Sequence, residues 1–398
     1  MNQPGESYFI SAGEYSGDLL AAELVVELKN QLTNLQPFGL VGDSMKLAGV
    51  EQIAHLKEIS IMGALDILKN ISKIKDVENQ VIEQIKQRNP KFAILVDFPG
   101  FHFRLAKKIK SLGIPVYQYV APKVWAWGQS RVKKLQRDFE MVLGVLPFEG
   151  EFFESHSVNY KYVGSPHLDR VLDVEKTSNR RPKEKSGFLV GVLPGSRKTE
   201  LKRILPAMLA VAGELRARYG DDIKFIMPLA SNLTIADLTS CLPTHRRIKE
   251  NVAEGCHDMG PVKVVSGSSL EIMASMDVGL LASGTATLEC AIVGTPMVVM
   301  YAIDSFSYLL ARMFVKVKFI SLVNLLLNRE VVKEFIQSLP VVTISDEVSM
   351  LIYNINYREQ VLSDLSSIRN SMDNLAAKNA ARILIEDLRA KGFVSDVK

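Results

Sequence analysis

Short runs of consecutive apolar residues alternate along this chain with longer segments of helical periodicity. Most of these runs are largely apolar and do not alternate with polar positions, as is typical of strands that are covered on both faces. We predict strands at Tyr8–Ala12, Phe92–Phe98, Val116–Val120, Met141–Leu146, Tyr160–Val163, Phe188–Leu193, Lys224–Pro228, Val262–Val265, Val278–Ala282 and Met297–Ala302. We predict helices at Leu19–Leu32, Ile67–Gln87, Phe103–Leu112, Ile204–Tyr219, Ala286–Val293 and Ala376–Arg389. This alternation predicts an α/β fold in which parallel sheets carry helices on both faces.

The length of 398 residues exceeds what one core usually supports, so we expect two domains. The polar, basic stretch Asp173–Ser186 is typical of a linker. We therefore predict Rossmann-like domains at residues 1–172 and 187–370, and leave the domain of residues 371–398 open. Open α/β sheets bind ligands outside the carboxyl ends of their strands, which predicts a cleft between two facing domains.

The composition is that of a globular protein, with 47% hydrophobic and 23% charged residues. Cys241, Cys256 and Cys290 show no paired spacing, which favours a reducing cytoplasm and no disulfide framework. The first residues lack the pattern of a signal peptide, and no run of about 18 apolar residues occurs. We expect a cytoplasmic protein without a transmembrane span.

Positive charge is concentrated in one part of the chain. The net charge is only +4, but residues 57–134 hold 12 Lys and 3 Arg against 3 Asp and 3 Glu, a local net charge of +9. Such a stretch favours an anionic partner or surface. The amphipathic stretch Ile61–Ile85 and the apolar, basic segment Ser305–Ile320 fit either buried structure or contact with anionic lipid headgroups.

Two segments predict a phosphate site. Leu189–Arg197 and Asp277–Glu289 each pass from an apolar run through a small polar turn into a helical pattern, so that N–H groups at a helix start face the carboxyl edge of a sheet. Arg197 adds a planar guanidinium that pairs with phosphate. Glu289 lies one turn into its helix, where a carboxylate can accept hydrogen bonds from ribose hydroxyls. Together the segments predict a site for a nucleotide diphosphate.

A second set of candidates lies near the start of the chain. Asp97 follows the apolar run Ala93–Val96 and is either a base at the mouth of the cleft or the cap of the next helix. Glu14 and Asp18 flank Ser16 and Gly17 at the first strand-to-helix turn, where capping and substrate contact are both open. Parallel strands end at one edge, so these residues should lie close to Asp97.

Aromatic and histidine residues carry weaker signals. Trp125 and Trp127 are either core packing or the wall of an acceptor pocket. We place His102 and His167 in loops. No cluster has the spacing of a metal site, so we predict neither a protein-held metal nor a cofactor.

Successive motifs of the chain resemble those of the lipid-A-disaccharide synthase family. The resemblance extends in order from about residue 8 to Gln337. Its motifs are Ser11–Asp18, Ile59–Gly63, Asp97–Phe101, Tyr119–Trp127, Leu146–Glu149, Leu193–Arg197, Ala282–Glu289, Ile320–Leu326 and Val331–Gln337.

The resemblance implies an inverting glycosyltransferase of the GT-B fold. It would join UDP-2,3-diacylglucosamine to 2,3-diacylglucosamine 1-phosphate (lipid X) and release UDP and the β-1,6-linked lipid A disaccharide 1-phosphate. The essential residues of the family fall on Asp97, Arg197 and Asn324. Expected substrate contacts are Gly13, Glu14, Ser16, Gly17, Asp18, Gly195, Ser196, Ser283, Gly284, Thr285, Glu289 and Tyr301.

The chain departs from the common family pattern at several positions. Asp43 and Ser44 replace a Pro-Arg pair, which removes a cation near the cleft of the first domain. The sequence therefore leaves the grip on the 1-phosphate and the acyl-chain length open. The other departures are Tyr15 for alanine, Ala21 for glycine, Gly100 for aspartate, His102 for asparagine and Val323 for proline.

We expect Asp97 to take the proton of the acceptor 6-hydroxyl while Arg197 and the helix starts stabilise the departing UDP. Both substrates carry acyl chains, so we expect the protein to lie on the anionic inner face of the cytoplasmic membrane. No nucleic-acid partner is expected, and a homodimer is left open. Two rival functions are a UDP-sugar 2-epimerase of similar build and a non-catalytic nucleotide-sugar binder.

Overall fold

A computed structural model describes residues 6–59, 71–126, 128–177, 187–230, 233–242, 249–251, 256–304, 308 and 318–394 of the chain. The chain divides into two units. The first comprises Met1–Pro166 and Asp373–Lys398, and the second comprises His167–Met372.

The first unit is built on a seven-stranded sheet with the strand order β3-β2-β1-β4-β5-β6-β7. All of the neighbouring strands in this sheet are parallel. The strands are β1 (Ser7–Ala12), β2 (Gln36–Val41), β3 (Glu51–His55), β4 (Ala93–Val96), β5 (Val116–Tyr119), β6 (Met141–Gly144) and β7 (Tyr160–Tyr162). The described helices of this unit are α1 (Tyr15–Gln31), α2 (Asp43–Leu47), α3 (Ile71–Arg88), α4 (Pro99–Ser111), α5 (Val132–Asp138), α6 (Glu149–Ser155) and α15 (Ala376–Ala390).

The second unit contains an eight-stranded sheet with the order β10-β11-β12-β9-β8-β13-β14-β15. Its strands are β8 (Phe188–Leu193), β9 (Ile223–Pro228), β10 (Lys249–Asn251), β11 (Cys256–Met259), β12 (Val262–Val265), β13 (Val278–Ala282), β14 (Met297–Tyr301) and β15 (Glu334–Ile336). Its described helices are α7 (Pro166–Thr177), α8 (Lys198–Tyr219), α9 (Ile235–Ser240), α10 (Ser269–Ser275), α11 (Thr285–Val293), α12 (Leu322–Leu327), α13 (Val341–Tyr353) and α14 (Ile355–Asn370).

The predicted α/β class with two Rossmann-like sheets is confirmed, but one edge differs. β10 and β11 pair antiparallel, as do β11 and β12, at the edge of the second sheet. The expectation of parallel sheets was therefore wrong for this edge, where strands joined by short connections can run antiparallel.

The boundary between the two units does not coincide with the predicted linker. The boundary of the units falls at Pro166 and His167, before Asp173–Ser186, of which residues 178–186 lie outside the described part. The C-terminal helix α15 belongs to the first unit, where Tyr117 Oη donates to Asp387 Oδ2 at 2.6 Å. Among the described residues, the structure has no helix that is long and apolar enough to span a bilayer.

Strand order places two turns side by side in each unit. In the first sheet, β1 lies between β2 and β4, so the chain reverses its direction of winding beside β1. In the second sheet, β8 lies between β9 and β13 and marks the same reversal. Such switch points are where open α/β sheets bind ligands, because the helices that follow the two strands leave on opposite faces.

Candidate active site

The switch point of the first unit brings the first glycine turn next to Asp97. β1 and β4 are parallel neighbours with Ala12 opposite Val96, so the chain enters both turns at the same edge. A Cβ atom added at Gly17 would lie 3.9 Å from the Asp97 Cβ. One added at Gly13 would lie 2.1 Å from the Phe98 ring, so only glycine allows this approach. The structure thus places Gly13 and Gly17 near Asp97.

Asp97 lies on a strained piece of backbone. Its φ is +53° and that of Phe98 is +50°, so two consecutive residues other than glycine are left-handed. Such conformations cost about 1–3 kcal/mol each and cluster at functional sites. The predicted strand Phe92–Phe98 is therefore too long, because β4 ends at Val96. Phe98, and not Asp97, occupies the N-cap position of α4, while the Asp97 side chain is half-buried.

His102 lies inside α4 and not in a loop, contrary to the prediction. Its ring is fully buried, and burial lowers its pKa to about 4 even though a hydrogen bond to the Asp97 carbonyl acts in the opposite direction. Nδ1 is 2.7 Å from that carbonyl oxygen, and Nε2 is 2.9 Å from Ser11 Oγ. The neutral ring thus joins β1 to the turn that carries Asp97.

Asp18 has a structural role. Its two carboxylate oxygens accept hydrogen bonds from the backbone N–H groups of Gly42, Ser44 and Met45 at 2.8, 2.8 and 3.2 Å, and the residue has no exposed surface. It therefore holds the start of α2, and the predicted contact of Asp18 with substrate stays a prediction. Ser16 is exposed and Glu14 is half-buried at the N-cap of α1, so their contact with substrate stays a prediction.

Trp125 belongs to a buried cluster of the first unit. Its ring packs edge-to-face on Phe148 at 4.9 Å, and Nε1 donates to Glu149 Oε1 at 3.1 Å. Burial raises the pKa of the Glu149 carboxyl to about 8, although the Trp125 hydrogen bond opposes the rise. These contacts favour core packing for Trp125, while Trp127 lies outside the described residues.

The switch point of the second unit brings the two predicted phosphate segments together. β8 and β13 are parallel neighbours with Leu193 opposite Leu281. A Cβ added at Gly195 would lie 3.6 Å from the Ala282 Cβ, so the turn around Gly195 and Ser196 adjoins the turn that begins at Ser283. Two helices, α8 and α11, start at this edge, and their N-terminal N–H groups favour an anion there.

Arg197 stands at the N-cap of α8, with a half-exposed side chain. Its Nη1 is 3.3 Å from Glu200 Oε1. Burial raises the pKa of the Glu200 carboxyl, and Arg197 opposes that rise. The pKa of the Tyr301 phenol at the end of β14 is raised mainly by burial and, to a smaller extent, by the charge of Glu200. Glu200 was not predicted, since a glutamate in the first turn of a helix is ordinary.

The turn at Ser283 is anchored in its own unit. Ser283 Oγ donates to the Ile320 carbonyl at 3.1 Å, and Thr287 Oγ1 donates to the Gly284 carbonyl at 2.8 Å. Gly284 and Thr285 are exposed at the start of α11. The exposed helix start is consistent with a phosphate site, which stays a prediction.

Glu289 is a largely buried carboxylate with cationic neighbours. Its Oε1 lies 3.0 Å from His167 Nδ1 and 3.1 Å from Arg170 Nη2. Burial tends to raise the pKa of Glu289, but the His167 hydrogen bond and the charges of His167 and Arg170 outweigh it and lower the pKa. An ionised Glu289 can accept further hydrogen bonds, so the predicted ribose contact stays a prediction. His167 lies in helix α7 and not in a loop.

The Asn324 side chain is buried, and its amide makes four hydrogen bonds. Nδ2 donates to the Val332 carbonyl and to Glu334 Oε1, both at 2.8 Å. Oδ1 accepts from the N–H groups of Val331 and Val332 at 2.7 and 3.0 Å. Every hydrogen-bonding capacity of the amide is used inside the second unit, so Asn324 holds a loop, and its predicted catalytic role stays a prediction.

Two predicted features fall largely outside the described residues. Residues 61–70 of Ile61–Ile85 and all but Tyr308 and Lys318–Ile320 of Ser305–Ile320 are not described. In the described ranges, no three His, Cys, Asp or Glu side chains are grouped so that they could hold a metal ion.

The family model for lipid-A-disaccharide synthetase matches residues 8–383. A lipid-A-disaccharide synthase of Anaeromyxobacter dehalogenans is 36% identical over 372 residues, which cover 92% of this chain and 93% of that protein. The corresponding protein of Myxococcus xanthus is 35% identical over 389 residues, or 97% of this chain and 98% of its own.

Solved structures share the fold at low identity. The UDP-GlcNAc 2-epimerase of Neisseria meningitidis, bound to UDP-GlcNAc, has a TM-score of 0.64 at 14% identity, over 96% of this chain and all of its own. The glycosyltransferase of kitacinnamycin has a TM-score of 0.60 at 14% identity, over 97% of this chain and all of its own. Such likeness shows the GT-B type of fold alone. The near-complete family match decides the assignment: this chain belongs to the lipid-A-disaccharide synthase family and is a glycosyltransferase.

Proposed function

We propose that this enzyme transfers the 2,3-diacylglucosaminyl group of UDP-2,3-diacylglucosamine to the 6-hydroxyl of 2,3-diacylglucosamine 1-phosphate. The observation that carries the proposal is the pairing of turns at both switch points, within a chain of this family. One pair presents a carboxylate, Asp97, and the other presents two helix starts beside Arg197.

The second unit binds the UDP moiety of the donor in this proposal. The starts of α8 and α11 supply N–H donors and the positive ends of two helix dipoles. Arg197 supplies a guanidinium that can form a bidentate pair with phosphate. Its present partner, Glu200, is partly buried, but the Arg197 side chain is half-exposed and can leave this pair, since a partly exposed ion pair contributes about 0–1 kcal/mol.

The first unit binds the acceptor and supplies the base. Asp97 accepts the proton of the 6-hydroxyl as that oxygen bonds to the anomeric carbon of the donor. The bond from the anomeric carbon to the phosphate oxygen breaks, and UDP leaves with the electron pair. Arg197 and the helix starts stabilise the charge that develops on the leaving group. Attack opposite the leaving group inverts the anomeric configuration.

The substrates also support a proposal for location. Each buried methylene contributes about 0.8 kcal/mol, so acylated substrates favour an enzyme that works at the lipid surface. We propose that the first unit, which contains the basic stretch of residues 57–134, docks on the inner face of the cytoplasmic membrane. Lys73 and Lys75 are exposed on α3 and suit contact with anionic headgroups.

Liposome flotation tests the membrane proposal. A double variant, K73E/K75E, should lose binding to vesicles that contain anionic lipid, because it reverses two charges on α3. The control K202E/K224E makes the same change at exposed positions of the second unit and should keep binding. Binding that is indifferent to anionic lipid, or equal in both variants, would contradict the proposal.

Product analysis tests the reaction itself. The purified enzyme, given the two acylated substrates, should release UDP and form a disaccharide 1-phosphate that mass spectrometry identifies. Given UDP-GlcNAc alone, it should leave the sugar unchanged. Epimerised sugar would favour the 2-epimerase, and UDP binding without any turnover would favour a non-catalytic binder.

A further inference from the structure

The imidazole of His102 connects three parts of the first unit around the candidate base. His102 lies in the first turns of α4. Its Nε2 is in hydrogen-bond contact with Ser11 Oγ of β1, and its Nδ1 is in contact with the Asp97 carbonyl oxygen. Its ring also packs against Phe98 and Phe101, each at 5.9 Å between centroids. The ring has no exposed surface, and both of its nitrogens have hydrogen-bond partners.

The chemistry of its two partners fixes the tautomer. A carbonyl oxygen can only accept, so Nδ1 must carry a hydrogen and donate it to Asp97, at 2.7 Å. Nε2 then has a lone pair in the neutral ring and accepts from the hydroxyl of Ser11, at 2.9 Å. Burial disfavours the charged ring, so the neutral form is the working one.

The bonded carbonyl belongs to the strained residue itself. Asp97 and Phe98 are both left-handed, and the first helical hydrogen bond of α4 runs from His102 N to the Phe98 carbonyl at 3.2 Å. The side chain of His102 donates to the Asp97 carbonyl at 2.7 Å, and Gln118 Nε2 makes a longer contact to it at 3.4 Å. Strained backbone persists only where its surroundings hold it.

We propose that His102 is a positioning residue: its Nδ1–H group holds the left-handed turn of Asp97 and thereby aims the carboxylate at the acceptor hydroxyl. This rests on the proposed role of Asp97 as the base. His102 does not touch substrate. It acts through the direction in which the Asp97 side chain leaves the backbone, and a misplacement of about 1 Å can cost about 10²-fold in rate.

Two matched substitutions separate the two nitrogens of the ring. In His102→Asn the amide nitrogen takes the place of Nδ1, so the donor to Asp97 is kept and the contact with Ser11 is lost. In His102→Gln the amide reaches the place of Nε2, so the contact with Ser11 is kept and the donor to Asp97 is lost. Both variants replace the ring by a smaller amide, so both should lower the melting temperature.

Steady-state kinetics with the acylated substrates is the readout. We expect His102→Gln to lower kcat by about 10²-fold with little change in KM or in UDP affinity. His102→Asn should keep most of the wild-type kcat. Ser11→Ala should lower the melting temperature and also keep kcat, because it leaves the Nδ1 donor in place. Equal kcat values for the Asn and Gln variants would overturn the proposal, whether both are high or both are low.

Nuclear magnetic resonance of the full-length enzyme, labelled with ¹⁵N-histidine, gives an independent measurement. The chain has 6 histidines, and the signal that is missing from the spectrum of His102→Asn belongs to His102. At neutral pH this signal should show the Nδ1–H tautomer. An Nε2–H tautomer would overturn the proposal.

Asp97→Asn, measured in the same assay, separates the two levels of the argument. Full activity of that variant would remove Asp97 as the base, and the proposed mechanism would fail together with this inference. Loss of activity in Asp97→Asn beside normal activity in His102→Gln would leave the mechanism standing and refute the positioning role alone.

Discussion

Replacing Asn324 tests whether this buried amide supports a loop or contacts substrate. Asn324→Ala removes four hydrogen bonds, to the Val331 N–H, the N–H and carbonyl of Val332, and the carboxylate of Glu334. A buried polar group left without a partner costs about 1–3 kcal/mol. Water can enter the space that the amide leaves, so the low end of that range applies. The Glu334 carboxylate keeps its hydrogen bonds from the N–H groups of Ile320 and Ser321. The other three groups, at about 1 kcal/mol each, then predict a loss of about 3 kcal/mol in the free energy of unfolding.

Asn324→Asp sharpens the test because it keeps the shape of the side chain. At neutral pH it places a carboxylate oxygen against the Val332 carbonyl and the Glu334 carboxylate, where the amide now donates at 2.8 Å. Acceptors then face each other in a buried site, so this variant should be less stable than Asn324→Ala. Lowering the pH should restore part of the loss, since a protonated carboxyl can donate once.

Urea unfolding of the full chain, followed by circular dichroism, measures these differences. Hydrogen exchange at the Val331 and Val332 amides reports on the loop itself and does not depend on how the two units unfold. Asn370→Ala, at an exposed position on α14 of the same unit, is the control and should change little. An Asn324→Ala variant that is as stable as the control, with protected loop amides and lost turnover, would refute the reasoning and indicate direct contact with substrate.

Three other substitutions test the packing, a buried acid and the donor site. Gly39→Ala would put a Cβ 1.7 Å from a backbone oxygen of β1 and should lower the free energy of unfolding by at least about 3 kcal/mol. Gly213→Ala in α8 places its Cβ in open space and should raise that free energy by about 0.5–1 kcal/mol. Equal stability of the two variants in urea unfolding would contradict this. Burial raises the pKa of Glu149 to about 8, above its unfolded value, so the stability that its proton contributes is full below the unfolded pKa and is lost as the pH rises through the folded one. Glu149→Gln cannot ionise and should therefore be more stable than the wild type at about pH 9 but not at about pH 5; a gap that is independent of pH would refute the assignment. Arg197→Ala should weaken UDP binding in calorimetry by about tenfold or more, and Arg203→Ala, at an exposed position of the same helix, should not; equal affinities would remove Arg197 from the donor site.

The central strands could be predicted from sequence because they are continuously apolar. β1, β4, β8 and β13 are buried along most of their length, and such runs have few other places in a fold. Missed strands are short or polar ones. β2 starts with Gln36 and Pro37 and contains Gly39, and β3 is a half-exposed edge strand, so neither has a distinctive pattern.

The adjacency of the turns also followed from sequence, since consecutive parallel strands end at one edge. The role of individual polar residues did not. Asp18 binds N–H groups 24 to 27 residues away, and the partners of Asn324 lie on another loop. Nothing in the local pattern shows which partner folding will bring to such a side chain.

The turn of Asp97 shows the same limit at the level of the backbone. Hydropathy extends the strand to Phe98, because an apolar residue after Asp97 fits a buried strand. Two contacts accompany the left-handed backbone: the hydrogen bond of His102 to the Asp97 carbonyl and the close approach of the Phe98 ring to Gly13. These contacts are set by tertiary packing and have no local signal.

The proton-accepting role of Asp97 is tested most directly by turnover and UDP affinity measured on the same preparation of Asp97→Asn. A general base contributes about 10²–10⁴-fold, so kcat should fall by about that factor. The dissociation constant of UDP should equal that of the wild type, and the control Asp76→Asn, at an exposed position of α3, should keep both values. Wild-type turnover in Asp97→Asn would contradict the account.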